Sequence, residues 1–285
     1  MAPSARIGDF YGRGSWQGYW KSGVAEVGAG ELRIRGYRAE DIIANLSYAE
    51  TLYLTLRGEL PTPARARVMD AVLCAAADHG LISVHAATAR FVASVQPDNA
   101  IPAIAAGALC AGDVTISPQA SATNIERGLA MVAAGATAAD AAQAIVEDYL
   151  DQRRPVPGLG TPTHKRIDPR AGALRKVAED EGFWGEGGQF YDHIHRQFMA
   201  TKNIQLAMNV DGVFAATMWD LGFTPRQMPG IALLAIMPGI IAHVDEEMTS
   251  GVPMRIIPES EYTGVPARAL DGGQWSGTRQ ETATA

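Results

Sequence analysis

Helix punctuation recurs along this chain at intervals that leave little room for anything but packed helices. Ser47-Tyr48-Ala49-Glu50 has the capping-box pattern, in which the serine hydroxyl and the glutamate carboxylate each satisfy a backbone N–H that a helix start leaves unpaired. Tyr48, Leu52 and Leu56 follow at i, i+4 and i+8 on one face. Gly58 and Pro61 then close the segment in the order expected of a helix end. Thr62-Pro63 opens another helix, threonine as cap and proline where its missing N–H costs nothing, with Val68, Val72 and Ala75 as the apolar stripe and Gly80 as the expected stop. Thr137-Ala138-Ala139-Asp140 caps a helix running to about Leu150, and Thr224-Pro225 repeats the start signal ahead of the apolar stretch at Ile231. Strand signals are confined to 24–27 and 32–34, separated by Gly28-Ala29-Gly30 and compatible with a small hairpin. The predicted fold class is mainly α.

At 285 residues, 47% of them hydrophobic and 19% charged, the chain can bury a full core as one large domain or two lobes sharing a cleft. A formal net charge of −7 argues against a nucleic-acid partner, although it leaves room for a local basic pocket. Cys74 and Cys110 sit in alanine-rich surroundings and are expected to be reduced core residues of a cytoplasmic protein. The N-terminus carries no basic-then-apolar signal, and the longest apolar run, 231–242, is broken by Pro238-Gly239 and reads as too short to cross a bilayer. A soluble protein with no membrane partner is expected. Residues 1–20 read as an extension and 271–285 as a loose tail.

The strongest break is Pro155-Val156-Pro157-Gly158-Leu159-Gly160-Thr161-Pro162, either a linker or a rigid loop that brings backbone close to a ligand. A second break, 182–188, reads as a surface turn. Among the six histidines, Asp192-His193-Ile194-His195 invites a metal reading. On a helix, however, i and i+2 side chains diverge by about 200°, and no third ligand stands at a zinc-like spacing, so no metal is expected. There is no P-loop, no complete dinucleotide fingerprint and no Gly-x-Ser-x-Gly, which excludes the common kinase, dehydrogenase and hydrolase signatures. Three polar clusters in apolar context remain: Asp78-His79-Gly80, 164–170 and Asn209-Val210-Asp211-Gly212. On residue type alone Asp211 is either a helix cap or, in a dry cleft, a carboxylate of raised pKa suited to taking a weakly acidic C–H proton.

The order of these segments resembles that of citrate synthases and citryl-CoA lyases. Ile34-Arg35-Gly36-Tyr37 and the stretch 53–61 resemble "RGY … YLLLxGELP", and Asp78-His79-Gly80 with Ser83 and Ala89-Arg90 resembles "DHG … S … aaR". The stretch 157–162 through Asp168-Pro169-Arg170 resembles "PGxGHP … DPR", and Asn209-Val210-Asp211-Gly212 resembles the lyase form "NVDG". Pro238-Gly239-Ile240-Ile241-Ala242-His243 with Glu246-Glu247 resembles "PGxxAHxxEE", and 258–264 looks like the closing "P … YxG". The match spans about residues 22–265.

The resemblance implies a helical homodimer with a large lobe (21–118 and 222–270), a small lobe (119–221) and a site between them that takes a coenzyme A thioester as substrate. It implies Asp211 as the group exchanging the α-proton, with His164 or His79 handling the oxygen of a small carbonyl or hydroxy-acid partner. Arg170 then resembles a carboxylate-binding arginine, whose fork suits such a group. Arg90, Thr161, Asn209 and His243 are further expected substrate contacts, and Gly158, Gly160 and Lys165 expected coenzyme A contacts. Three departures stand out. Thr161 occupies the place of the loop histidine, Thr115 that of the first catalytic histidine of the synthases, and Ile236 that of a carboxylate-gripping arginine. Thr115 favours lyase over synthase, Ile236 suggests a second substrate with fewer carboxylates, or a more apolar one, than citrate, and Thr161 removes the loop's proton donor. A turnover-deficient coenzyme A-binding homologue, or an unmodified citryl-CoA lyase, are the alternatives.

Overall fold

The structure, a computed structural model, describes residues 12–16, 18–112, 114–161 and 168–268. Within them eleven α-helices and one three-stranded sheet form the fold. The hairpin is present: β1 (Ala25–Gly28) pairs antiparallel with β2 (Glu31–Ile34), and β3 (Tyr37–Arg38) adds a third strand. The helices are α1 (Ala39–Asn45), α2 (Tyr48–Arg57), α3 (Pro63–Ala75), α4 (Val84–Ala93), α5 (Ala100–Leu109) and α6 (Pro118–Ala133). They continue with α7 (Ala138–Asp151), α8 (Pro169–Asp180), α9 (Glu186–Lys202), α10 (Val210–Asp220) and α11 (Met228–Ser250).

Local chemistry explains most boundaries. The Ser47–Glu50 capping box forms in full, and Gly58 ends α2 in the left-handed conformation at φ 79°. Thr62 and Thr137 cap α3 and α7 through their hydroxyls. Two expected signals land elsewhere. α3 stops at Ala75, five residues before Gly80, which instead starts a 3-10 turn (Gly80–Ile82). Thr224 does not cap a helix: its N–H and hydroxyl both donate to the Gln227 side chain in a turn, and α11 begins only at Met228 with Pro229 in its first turn. The 182–188 break is also more than a surface turn. Gly187 and Gly188 are buried in the first turn of α9, where a Cβ would strike the Trp219 and Trp184 rings. The Asp220 carboxylate accepts the N–H groups of Gly185, Gly187 and Gly188, so the cap comes from 32 to 35 residues away.

The main core draws on α2, α3, α6 to α10 and the first half of α11, with Tyr53, Met69, Ile125, Ile145, Tyr191, Met218 and Met228 fully shielded. Each such side chain contributes on the order of 1.5–3 kcal/mol of apolar burial. Tyr53 meets Phe223 edge to face at 5.6 Å, tying α2 to the α10–α11 connection. A second cluster joins Ala89, Ala93 and Ala103 to Ile236, Ile240 and Val244.

α11 corrects an expectation. Pro238 does not break the apolar run, which lies in one helix of 23 residues, long and apolar enough by length and composition to cross a membrane. In this fold its buried stripe, from Met228 to Glu247, packs against α3, α4, α5 and α6. Beside Pro238, the missing side chain of Gly239 lets the 77–78 backbone approach: its N–H bonds the Ala77 carbonyl at 2.9 Å, and a Cβ there would lie 2.7 Å from Asp78 Oδ1. That approach seats the 77–79 turn on α11 and delivers His79 to the site. Both cysteines are unpaired, as expected, but they are not core residues: Cys74 is exposed and Cys110 half-buried.

Candidate active site

The loop and helix that frame the site are built from one another's backbones. Gly160 N–H bonds Ala207 O at 2.8 Å, Asn209 N–H bonds Gly158 O at 2.9 Å, and Leu159 bridges Met208 antiparallel. Gly158 and Gly160 hold φ of 79° and 72°, where a side chain would be strained. The Asn209 side chain accepts from Gly212 N–H and donates to Gly160 O at 2.8 Å. Asn209 is therefore the cap of α10. Asp211 is the second residue of the helix and is not its cap.

Asp168 completes the frame from the start of α8. Its buried carboxylate takes Arg170 Nε at 3.1 Å and a terminal Arg170 nitrogen at 2.9 Å, the Arg170 N–H at 3.1 Å, and the Val210 N–H at 3.1 Å. Burial opposes its charge, but these donors together hold its pKa below the ordinary carboxylate range. Asp211 next door goes the other way. Burial pushes its pKa up, against the Ser117 backbone N–H and the Arg170 charge, and the Asp168 charge adds to the rise.

A cavity of about 410 Å³ opens beside Asp211 and is lined by His79, Thr161, Arg170, Asn209 and Gly160. Thr115 and Ile236, the other two departures from the family pattern, line it too. A larger cavity of about 820 Å³ adjoins it, walled by the 155–160 loop, Tyr149, Arg154 and the start of α6. Asp211, Asn209, Gly160, Val114 and Ile116 border both, so the carboxylate stands at the junction. Ile116 is held at φ 56°, a costly conformation for a β-branched residue, at the turn that carries Ser117 toward Asp211.

Of the residues expected at the site, Asp211, His79, Arg170, Thr161, Asn209 and Gly160 come together, and Gly158 faces the larger cavity. Two do not reach it. Arg90 binds Glu246 at 2.7 Å and Glu247 at 2.5 Å and borders a separate surface hollow. His243 pairs with Asp78 at 3.2 Å, steadying the turn that presents His79. His164 and Lys165 lie outside the described residues. His193 and His195 lie on α9, where the His195 ring bonds Leu206 O, and among the described residues no group of acidic, histidine or cysteine side chains could hold a metal. His85, which the motif reading passed over, does line the cavity.

These elements define a two-cavity site on an α-helical frame, and the comparisons name its class. Residues 61–257 match the family described as citrate synthase, C-terminal domain, and the chain belongs to that family. Within it, the chain is similar to citryl-CoA lyase from Hydrogenobacter thermophilus: TM-score 0.80, 35% identity, covering 89% of this chain and 98% of that one. It is 29% identical over 239 residues to citrate synthase of Deinococcus radiodurans, but spans only 60% of that protein's length. The fold also matches an ATP citrate lyase from Methanothrix soehngenii, solved with citrate and coenzyme A, at TM-score 0.73 and 18% identity, over 94% of this chain and 45% of that one.

Proposed function

We propose that this chain is a carbon–carbon lyase or Claisen-type condensing enzyme acting on an acyl-CoA thioester, with a second substrate poorer in carboxylates than citrate. The observation that carries this reading is the position of Asp211. A carboxylate of raised pKa at the junction of two cavities can exchange an α-proton of a thioester held in one, toward a carbonyl held in the other. In the cleaving direction, the hydroxyl of a 3-hydroxyacyl-CoA loses its proton, the C2–C3 bond breaks, and the carbonyl product leaves an enolate that Asp211 protonates. His79 or His164 handles the oxygen, and Arg170 orients a polar end of the substrate. Thr161, Thr115 and Ile236 support the narrower substrate claim, since three groups that would serve citrate are replaced around one cavity. The larger cavity, walled by the 155–160 loop, fits the thioester arm, with Gly158 and Gly160 as its contacts. Exposed Ile101 and Leu109 on α5 support self-association, and the unpaired cysteines a reducing compartment.

Incubation with acetyl-CoA in heavy water tests the reading. Deuterium should enter the methyl group, and Asp211→Asn should abolish the exchange. No exchange with any short acyl-CoA would overturn it. Thr161 and Thr115, standing where two histidines are expected, favour a second reading, a homologue that binds coenzyme A esters without turnover. Saturable binding of acetyl-CoA with neither exchange nor product across a broad panel would select it. Restoring Thr161→His and gaining citryl-CoA cleavage would show that unmodified citryl-CoA lyase is the wrong assignment.

A further inference from the structure

His85 occupies the second position of α4, only 3% exposed, and lines the smaller cavity. Its Nδ1 lies 2.9 Å from Ser83 Oγ, and Ser83, although it stands at the cap position of α4, makes no capping bond with that hydroxyl. Its Nε2 is fully shielded and, among the described residues, has no hydrogen-bond partner. An unmade buried hydrogen bond is costly, so a buried ring nitrogen without a partner beside a cavity is a place for a ligand to supply one. Ala86, Phe214, Ala232, Ile236 and Ile240 line the same cavity, so the unpartnered ring nitrogen belongs to a stretch of lining that is mostly apolar.

We propose that His85 is a substrate-contacting residue whose Nε2–H hydrogen-bonds the oxygen that is a carbonyl in the free second substrate and a hydroxyl in the joined acyl-CoA. The identity of that oxygen rests on the acyl-CoA reading above. This role requires the Ser83 hydroxyl to donate to Nδ1 across the 2.9 Å contact, which places the ring proton on Nε2, the tautomer that serves an oxygen acceptor. Burial lowers the pKa of the imidazole, and its place in the first turn of α4 adds nothing that favours a positive charge, so both disfavour the charged ring. Asp211, Asp78, His79 and Arg170 are the charged or titratable groups lining the same space. A neutral N–H donor fixed in a dry cavity stabilises a developing oxyanion without reorganising, and here it stands in for the histidine that Thr161 replaces.

Nitrogen NMR of the full chain labelled with ¹⁵N-histidine tests this, with His85→Gln assigning the signal. The probes are glyoxylate, pyruvate and oxaloacetate, each in the presence of acetyl-CoA. The His85 ring should be Nε2-protonated at neutral pH, should titrate below the ordinary histidine range, and should shift with at least one keto acid. His85→Leu should weaken that keto acid's binding by about tenfold or more while the melting temperature holds or rises, and His85→Gln should recover most of the loss. An Nδ1-protonated ring, an ordinary titration, or a signal that no keto acid moves would overturn the proposal. Failure of the acyl-CoA reading shows separately, as absent deuterium exchange in acetyl-CoA, and leaves the tautomer and titration results to decide His85.

Discussion

Gly158 and Gly212 meet backbone to backbone: a Cβ on Gly212 would fall 2.7 Å from the Gly158 carbonyl oxygen, and one on Gly158 would fall 2.7 Å from Gly212 Cα. The Tyr191 hydroxyl closes the gap from the other side, donating to Pro157 O at 2.9 Å, and burial pushes its phenol pKa far up. The three groups lock the loop onto the first turn of α10, and that lock sets where the Asp211 carboxylate stands.

Gly212→Ala should therefore cost about 1–3 kcal/mol, the usual penalty for overpacking. Part of the obstacle is the Tyr191 hydroxyl and part is backbone. In a Tyr191→Phe background the penalty should shrink without vanishing. Equal penalties in both backgrounds, measured by urea unfolding, would show that the phenol is not in the way.

The Asp168–Arg170 pair predicts an acid-sensitive contribution. The folded pKa of Asp168 is depressed, so its stabilisation is complete above the unfolded value of about 3.9. It is lost as pH falls through the folded pKa. Asp168→Asn should destabilise the protein at neutral pH, and the gap to wild type should narrow below about pH 4. A gap that stays constant down to acid unfolding would mean that the hydrogen bonds, not the charge, carry the contribution.

How far residues could foretell this architecture depended on where their partners lie. Ser47 and Glu50, or Thr137 and the Asp140 N–H, are three residues apart, so their caps were legible as pattern. The cap of α9 was not, because Asp220 is more than thirty residues away. Thr224-Pro225 misled for a related reason, since its hydroxyl found Gln227 before any helix began. At the site, motif order foretold the gathering of Asp211, His79 and Arg170. Motif order could not separate Asp211 from Asn209 as the cap, nor show that Arg90 is spent on Glu247. His85 carried no spacing signal, and its mark is a buried ring nitrogen without a partner, which only the packing of α4 reveals.

Glu247 is clasped by Arg90 at 2.5 Å and Arg255 at 2.6 Å, its side chain wholly shielded. Burial works against its charge, but the two guanidinium groups outweigh it and hold the pKa low. Arg90→Leu leaves Glu247 with Arg255 alone, so its cost should fall short of the roughly 3–5 kcal/mol seen when a buried charge loses its sole partner. A falling melting temperature is the expected readout. A raised KM for acyl-CoA at unchanged stability would instead return Arg90 to the substrate.

Asp211 carries the opposite linkage, and the sign separates function from stability. Its folded pKa is raised, mainly by burial, so the charged form is disfavoured in the native state. The resulting destabilisation is absent below the unfolded value of about 3.9, builds as pH rises toward the folded pKa, and stays constant above it. Asp211→Asn keeps the shape and removes the charge. At neutral pH it should melt higher than wild type, with the gain fading below about pH 4, while deuterium exchange into acetyl-CoA disappears. The acid limb of the wild-type exchange rate should fall at a pH above the ordinary aspartate range, because only the ionised carboxylate takes the proton. An asparagine variant that melts lower at neutral pH would place Asp211 in a stabilising network instead, and its lost exchange would then have to be separated from lost structure.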